Sequence, residues 1–194
     1  MRTLIYIPII DAQANTGALG GAVRSTAIEK LGYRGWGHRL PANDRLWVVI
    51  RETIEKMNLP HQRVRLYQDG LPQCGREVQI VMDLAQAGSP NHQLLLFLIQ
   101  KGGILVGTES PDLLLEEYQL VRRVLDARSR AEAEQVEARQ RSLSHSLLGR
   151  RDRYIAQRIN ETLLPGETGI LFLDTLRSIQ DHLAEDIEVT YPFN

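Results

Sequence analysis

The chain has 194 residues, enough for one domain with a sizeable core, and its 43% apolar content is ordinary for a globular protein. A formal net charge of −1 excludes a global field that would favour nucleic acid or an anionic membrane. Cys74 is the single cysteine, so no internal disulfide forms, and no apolar run approaches the roughly 18 residues of a membrane span. These bounds predict a single cytoplasmic α/β domain over 1–194, with no membrane association.

Residues 3–10 form a continuous, isoleucine-rich apolar run. Continuity rather than alternation predicts a strand covered on both faces. Pro8 and the shortness of the run set it apart from a secretory leader. Asp11 follows at its carboxyl end. The glycine-rich stretch 15–22 then reads as a loop or helix entry. The alternative, a phosphate cradle in a nucleotide-binding domain, has neither a GxGxxG nor a Gly-Lys-Ser/Thr to carry it. A short helix is expected over 22–31 and an irregular aromatic loop over 32–38. A second helix is expected from about Asn43 to Asn58, with Asn43 or Asp44 as its N-cap, because Trp47, Ile50, Ile54 and Met57 recur at helical spacing.

Val64 to Tyr67 predicts the second strand, and Gln68-Asp69-Gly70-Leu71-Pro72 a turn that leaves Asp69 at its carboxyl end. A helix is expected over 76–87, with Cys74 just before it reading as an inert side chain. The next helix, 91–101, is apolar nearly all round, so it is buried or lies in an interface. His92 at its start reads as a capping or surface residue. A third strand over 104–107 ends at Glu109, and Ser110-Pro111-Asp112 is a helix start.

From Pro111 to Leu163 almost everything is compatible with helix. Residues 126–142 are polar and alanine-rich, which fits a solvated face or a projecting arm. Arginines outnumber acids between 121 and 160. The interleaved acids and scarce aromatics favour solvation over a nucleic-acid surface. Gly149 breaks the pattern. Beyond it, Arg151 and Asp152 share the apolar side with Ile155, Ala156 and Ile159, where a buried charge needs a partner. A structural ion pair and a site arginine both fit Arg151. Thr168 to Leu173 predicts a fourth strand, with Asp174 and Arg177 at its carboxyl end. Residues 187–191 predict a last, edge strand.

Strands alternating with helices predict an α/β fold with a mostly parallel sheet of about five strands flanked by helices. Ligands of such sheets bind outside the carboxyl ends of the strands. Asp11, Asp69, Glu109, Asp174 and Arg177 would gather there, with Arg151 from the late helix. Such carboxylates hold a divalent metal through oxygen or divide acid and base roles.

The pairing of the first strand with the late stretch Arg151-Asp152-Arg153-Tyr154-Ile155-Ala156-Gln157-Arg158-Ile159 and its following strand resembles the TraB/Tiki peptidase and erythromycin-esterase-like group. The likeness covers the first dozen residues and roughly 150–180. That group carries Gly-x-x-His at the end of an early strand and again after the late strand. Here the two positions read Pro8-Ile9-Ile10-Asp11 and Asp174-Thr175-Leu176-Arg177, without either glycine or either histidine. The resemblance implies a hydrolase-like domain whose metal chemistry is lost or altered. It also implies an ion pair between Asp11 and Arg177 where relatives would bind metal. A non-catalytic module is the alternative, self-associating through the helix 91–101 or the arm 111–145. The cofactor is left open.

Overall fold

The structure is a computed structural model that describes residues 1–9, 40–174 and 177–193, with side chains described outside 40–45. Five strands form one parallel sheet: β1 (Arg2–Ile9), β2 (Val64–Gln68), β3 (Ile104–Val106), β4 (Thr168–Asp174) and β5 (Ile187–Thr190). Their spatial order is β3-β2-β4-β1-β5. The expected α/β architecture is therefore present, and the last strand lies at an edge as predicted. Ile9 stands beside Asp174 and Gln68 beside Phe172, so β1 and β4 end together and β2 two residues earlier.

Helices cover both faces, which is why the strands read as apolar runs without alternation. On one face lie α1 (Leu40–Lys56), α2 (Glu77–Gln86) and α3 (Pro90–Gln100). Trp47, Ile50, Ile54, Val81, Leu94, Leu95 and Leu98 pack there against Ile5, Ile7, Ile9, Val64, Leu66, Ile170 and Phe172. On the other face Ile155, Ala156 and Ile159 meet Leu4, Tyr6, Tyr67, Leu171 and Leu173. They belong to α5 (Arg130–Thr162), which follows α4 (Pro111–Leu125). Fully burying one such Leu or Ile side chain stabilises by roughly 1.5–3 kcal/mol. β2 thus leads into α2 and α3 on one face, while β4 follows and packs under α5 on the other. In parallel α/β sheets, ligands bind outside the carboxyl ends of the strands.

Several local readings change. Helix α1 begins at Leu40 rather than at an Asn43 or Asp44 cap. Pro41 falls in its first turn, where a missing N–H costs nothing. His92 is buried rather than on the surface, and its Nδ1 is 2.7 Å from Ser89 Oγ. The apolar face of α3 packs into the core: Leu94, Leu95 and Leu98 are buried, and Leu96, Phe97 and Ile99 lie against them.

The stretch 111–163 is two helices, separated by Asp126 to Ser129. Ser110 Oγ caps α4 by accepting from Leu113 N, and Ser129 Oγ caps α5 by accepting from Glu132 N. Leu113, Leu120, Leu147 and Tyr154 form the seam between the two helices, and Gln140 Nε2 donates to Leu120 O at 2.8 Å. Gly149 does not interrupt α5, which runs 33 residues, about 50 Å, without a break. Its end is fixed by Arg2, whose Nη1 donates to Asn160 O and Leu163 O at 2.7 and 3.1 Å, placing a cation on carbonyls the helix leaves unpaired. Among the described residues no helix is long and apolar enough to cross a membrane.

Candidate functional site

The chain leaves β2 through a tight turn in which Gly70 adopts φ 74°, a conformation that suits glycine. Leu71 O accepts from Thr108 N and Glu109 N at 3.0 and 2.9 Å, and Gln73 N donates to Glu109 O at 2.8 Å. These bonds splice the segment after β3 onto the turn after β2. They bring Asp69 and Glu109 together although about forty residues separate them in the chain. Both side chains are fully buried. Both carboxyl groups lie against the same two guanidinium groups, those of Arg151 and Arg177.

Two guanidinium groups close the cluster. Arg151 projects from the core face of α5. Its Nε donates to Glu109 Oε2 at 3.1 Å and its Nη2 to Glu109 Oε1 at 2.5 Å, a two-point grip. The same Nη2 lies 3.4 Å from Asp69 Oδ1, and Nη1 donates to Glu117 Oε1 of α4 at 2.7 Å. Arg177 follows β4. Its Nη1 donates to Asp69 Oδ1 at 3.2 Å and lies 3.6 Å from Glu109 Oε1. Its Nε makes a short bond to Asp152 Oδ1, while Asp152 Oδ2 accepts from Ser178 N at 3.3 Å. Asp174 is buried at the end of β4, and its N–H donates to Asp69 Oδ2 at 3.3 Å.

Burial raises both carboxyls, and unequal pairing with the guanidiniums drives them apart in acidity. Loss of water pushes Asp69 up, Arg177 and Arg151 oppose, and the neighbouring Glu109 adds to the rise, leaving it at about 7. Burial also pushes on Glu109, but the charge and hydrogen bonds of Arg151, with Arg177 behind, hold it below the ordinary carboxylate range. Arg151 and Arg177 are both raised: burial works against their charge, and the surrounding carboxylates outweigh it. The two carboxyls interact, so they titrate as a pair.

On the opposite side of the same strand end, Gln68 Nε2 donates to Asp69 O at 3.2 Å, and Asn91 Nδ2 donates to Gln68 Oε1 at 2.9 Å. Two buried polar atoms at this end have no hydrogen-bond partner among the described residues, Arg177 Nη2 and Asn91 Oδ1.

Of the residues predicted at this rim, Asp69, Glu109, Arg151, Asp174 and Arg177 come together. Asp11 lies outside the described residues, as does the glycine-rich stretch 15–22. The described partners of Arg177 are Asp69, Glu109 and Asp152. Asp152 joins the cluster beyond the predicted rim set. Its place beside Arg151 on the core side of the late helix is the sequence signal for it. Glu117 carries no such signal, since its role follows from how α4 packs on α5. Cys74 is exposed, and its N–H donates to Glu77 Oε1 at 2.8 Å.

A metal of the kind the resemblance implies does not suit these donors. Asp69 and Glu109 accept hydrogen bonds from the guanidiniums of Arg151 and Arg177, which occupy the space between them and their surroundings. A guanidinium donates hydrogen bonds and offers a cation no lone pair. Among the described residues no three His, Cys, Asp or Glu side chains group to hold a metal ion. What the arrangement offers is a carboxyl pushed up to about 7, a carboxylate held low and two fixed cations at the carboxyl ends of the strands. No family model, curated protein or solved structure matches the chain.

Proposed function

We propose that the protein is a hydrolase-like α/β domain whose site at the carboxyl edge of the sheet works by general acid–base chemistry through Asp69 and Glu109, without a metal. One observation carries this reading: two fully buried carboxyls held against the same two guanidiniums, in surroundings that push Asp69 up to about 7 and hold Glu109 low. Paired titratable groups whose surroundings separate their pKa values are the usual mark of an acid and a base. Asp69 is the proton donor, Glu109 the charged partner, and Arg151 fixes Glu109 by its two-point grip. An acid poised near neutral pH combines a useful protonated fraction with a usable driving force for transfer.

A second reading is a non-catalytic domain in which the same cluster only ties α5 to the strand ends. The burial of both carboxyls favours it, since neither side chain reaches the surface.

A panel of chromogenic carboxylic esters, peptide amides and phosphate esters separates the two. On the first reading, turnover of at least one class falls by about 100-fold or more in Asp69→Asn and in Glu109→Gln while the melting transition persists. Absence of turnover across the panel, or turnover untouched by both substitutions, sinks it in favour of the second.

A further inference from the structure

Arg177 is more than the counter-ion of Asp152. A guanidinium is planar, and its N–H groups leave it in a fixed order around the rim: Nε, then the Nη2 pair, then the Nη1 pair. Here Nε is spent on Asp152 and Nη1 on Asp69. The Nη2 pair must therefore open into the sector between those two carboxyls. It is buried there with no acceptor among the described residues, on a side chain only 3% exposed. A buried charged donor without an acceptor is costly, so an acceptor from beyond the described residues belongs at that point.

Charge decides what kind of acceptor fits. The inner cluster sets Arg151 and Arg177 against Glu109, Asp152 and Asp69, so it has no excess of positive charge. Glu117 and Asp174 bring further carboxyls to its rim. A phosphate or carboxylate placed beside Nη2 would be a desolvated anion next to Asp152, with both guanidiniums of the cluster already committed to carboxylates. An uncharged oxygen with a partial negative charge takes the donor without that repulsion. The same position suits an oxygen on which charge develops only as a reaction proceeds.

We propose that Arg177 is a substrate-binding residue whose Nη2 receives an uncharged oxygen acceptor, a carbonyl or hydroxyl oxygen, between Asp152 and Asp69, and that the site discriminates against phosphate and carboxylate groups. The proposal rests on the acid–base reading of Asp69 and Glu109 for its link to catalysis, though not for the binding itself.

The test follows the side-chain guanidinium resonances of Arg177 in nitrogen-labelled protein, assigned with Arg177→Lys, while acetamide, acetate and inorganic phosphate are titrated separately. The expected result is a saturable shift with acetamide that neither acetate nor phosphate displaces. Preferential binding of acetate or phosphate overturns the proposal, and so does a guanidinium that acetamide leaves unmoved. The comparison among probes uses the unmodified protein, so a poorly folded variant does not spoil it. A carbon-labelled Asp69 carboxyl, titrated in the same sample without any probe, reports separately on the acid–base reading. A midpoint in the ordinary aspartate range removes that reading while leaving the Arg177 result to stand by itself.

Discussion

Arg151 grips Glu109 through both carboxylate oxygens, at 3.1 and 2.5 Å, across 42 residues of sequence, with no exposed surface on the Glu109 side chain. That contact joins the core face of α5 to the segment leaving β3. Removing one partner of a buried pair leaves a charge with neither water nor a counter-ion, at a typical cost of about 3–5 kcal/mol. Arg151→Met should lose stability on that scale in urea unfolding. Arg151→Met combined with Glu109→Leu should recover much of it. A double variant as unstable as the single one would mean that packing, rather than the stranded charge, sets the cost.

Asp69 gives a pH signature whose sign is fixed. Its folded-state pKa is raised from 3.8 to about 7, so between those values the folded protein binds more protons than the unfolded chain. The stability it contributes is complete below the unfolded value and is lost as pH rises through about 7. Asparagine mimics the protonated carboxyl and cannot titrate. The unfolding free energy of the natural protein minus that of Asp69→Asn should therefore fall across this window, by at most ~1.4 kcal/mol per pH unit. A difference that is flat, or rises with pH, contradicts the raised pKa.

Two glycines should respond in opposite directions. Gly149 lies inside α5, and a Cβ there meets nothing within 4 Å. Gly149→Ala should raise stability by roughly 0.5–1 kcal/mol, because glycine loses the most backbone freedom in a helix. A Cβ on Gly107 would stand 2.6 Å from Gln73 Cα and 2.8 Å from Glu77 Oε1, beside the segment that bears Glu109. Gly107→Ala should cost about 1–3 kcal/mol by overpacking, read as a lowered Tm. Equal shifts in the two variants would refute the assigned environments.

Ser129 marks the reversal between α4 and α5. Its Oγ accepts from Glu132 N at 3.2 Å, and Glu132 Oε2 accepts from Arg128 N at 2.8 Å. Ser129→Ala should cost about 1 kcal/mol and Ser129→Asp close to nothing, since aspartate caps equally well. Thermal melts of the two variants decide it; matching losses would show that the cap contributes little here.

The serine-x-x-glutamate spacing that ends the four-residue break between α4 and α5 is legible in the sequence, yet good helix formers on both sides mask it. Gly149 misleads in the other direction. It lowers helix propensity, but the packing of α5 on the sheet and on α4 outweighs a penalty of about 1 kcal/mol. His92, expected in a capping or surface role, is buried instead: a lone histidine at a helix start looks solvent-facing until Ser89 supplies its partner.

Sequence by itself determined the parallel α/β sheet, through continuous apolar strands alternating with helical periodicity, and the polar residues that close each strand. It also placed Arg151 and Asp152 on the core side of their helix, because side-chain direction follows from a local repeat. Only the tertiary structure decided which charges meet. Arg151 to Glu109, Arg151 to Asp69 and Arg177 to Asp69 span 42, 82 and 108 residues. No local propensity encodes such contacts. They exist because β4 inserts between β2 and β1, so that β1 and β4 end together and β2 two residues earlier. The same burial that removes water from Asp69 turns an ordinary turn aspartate into an acid poised near neutral pH.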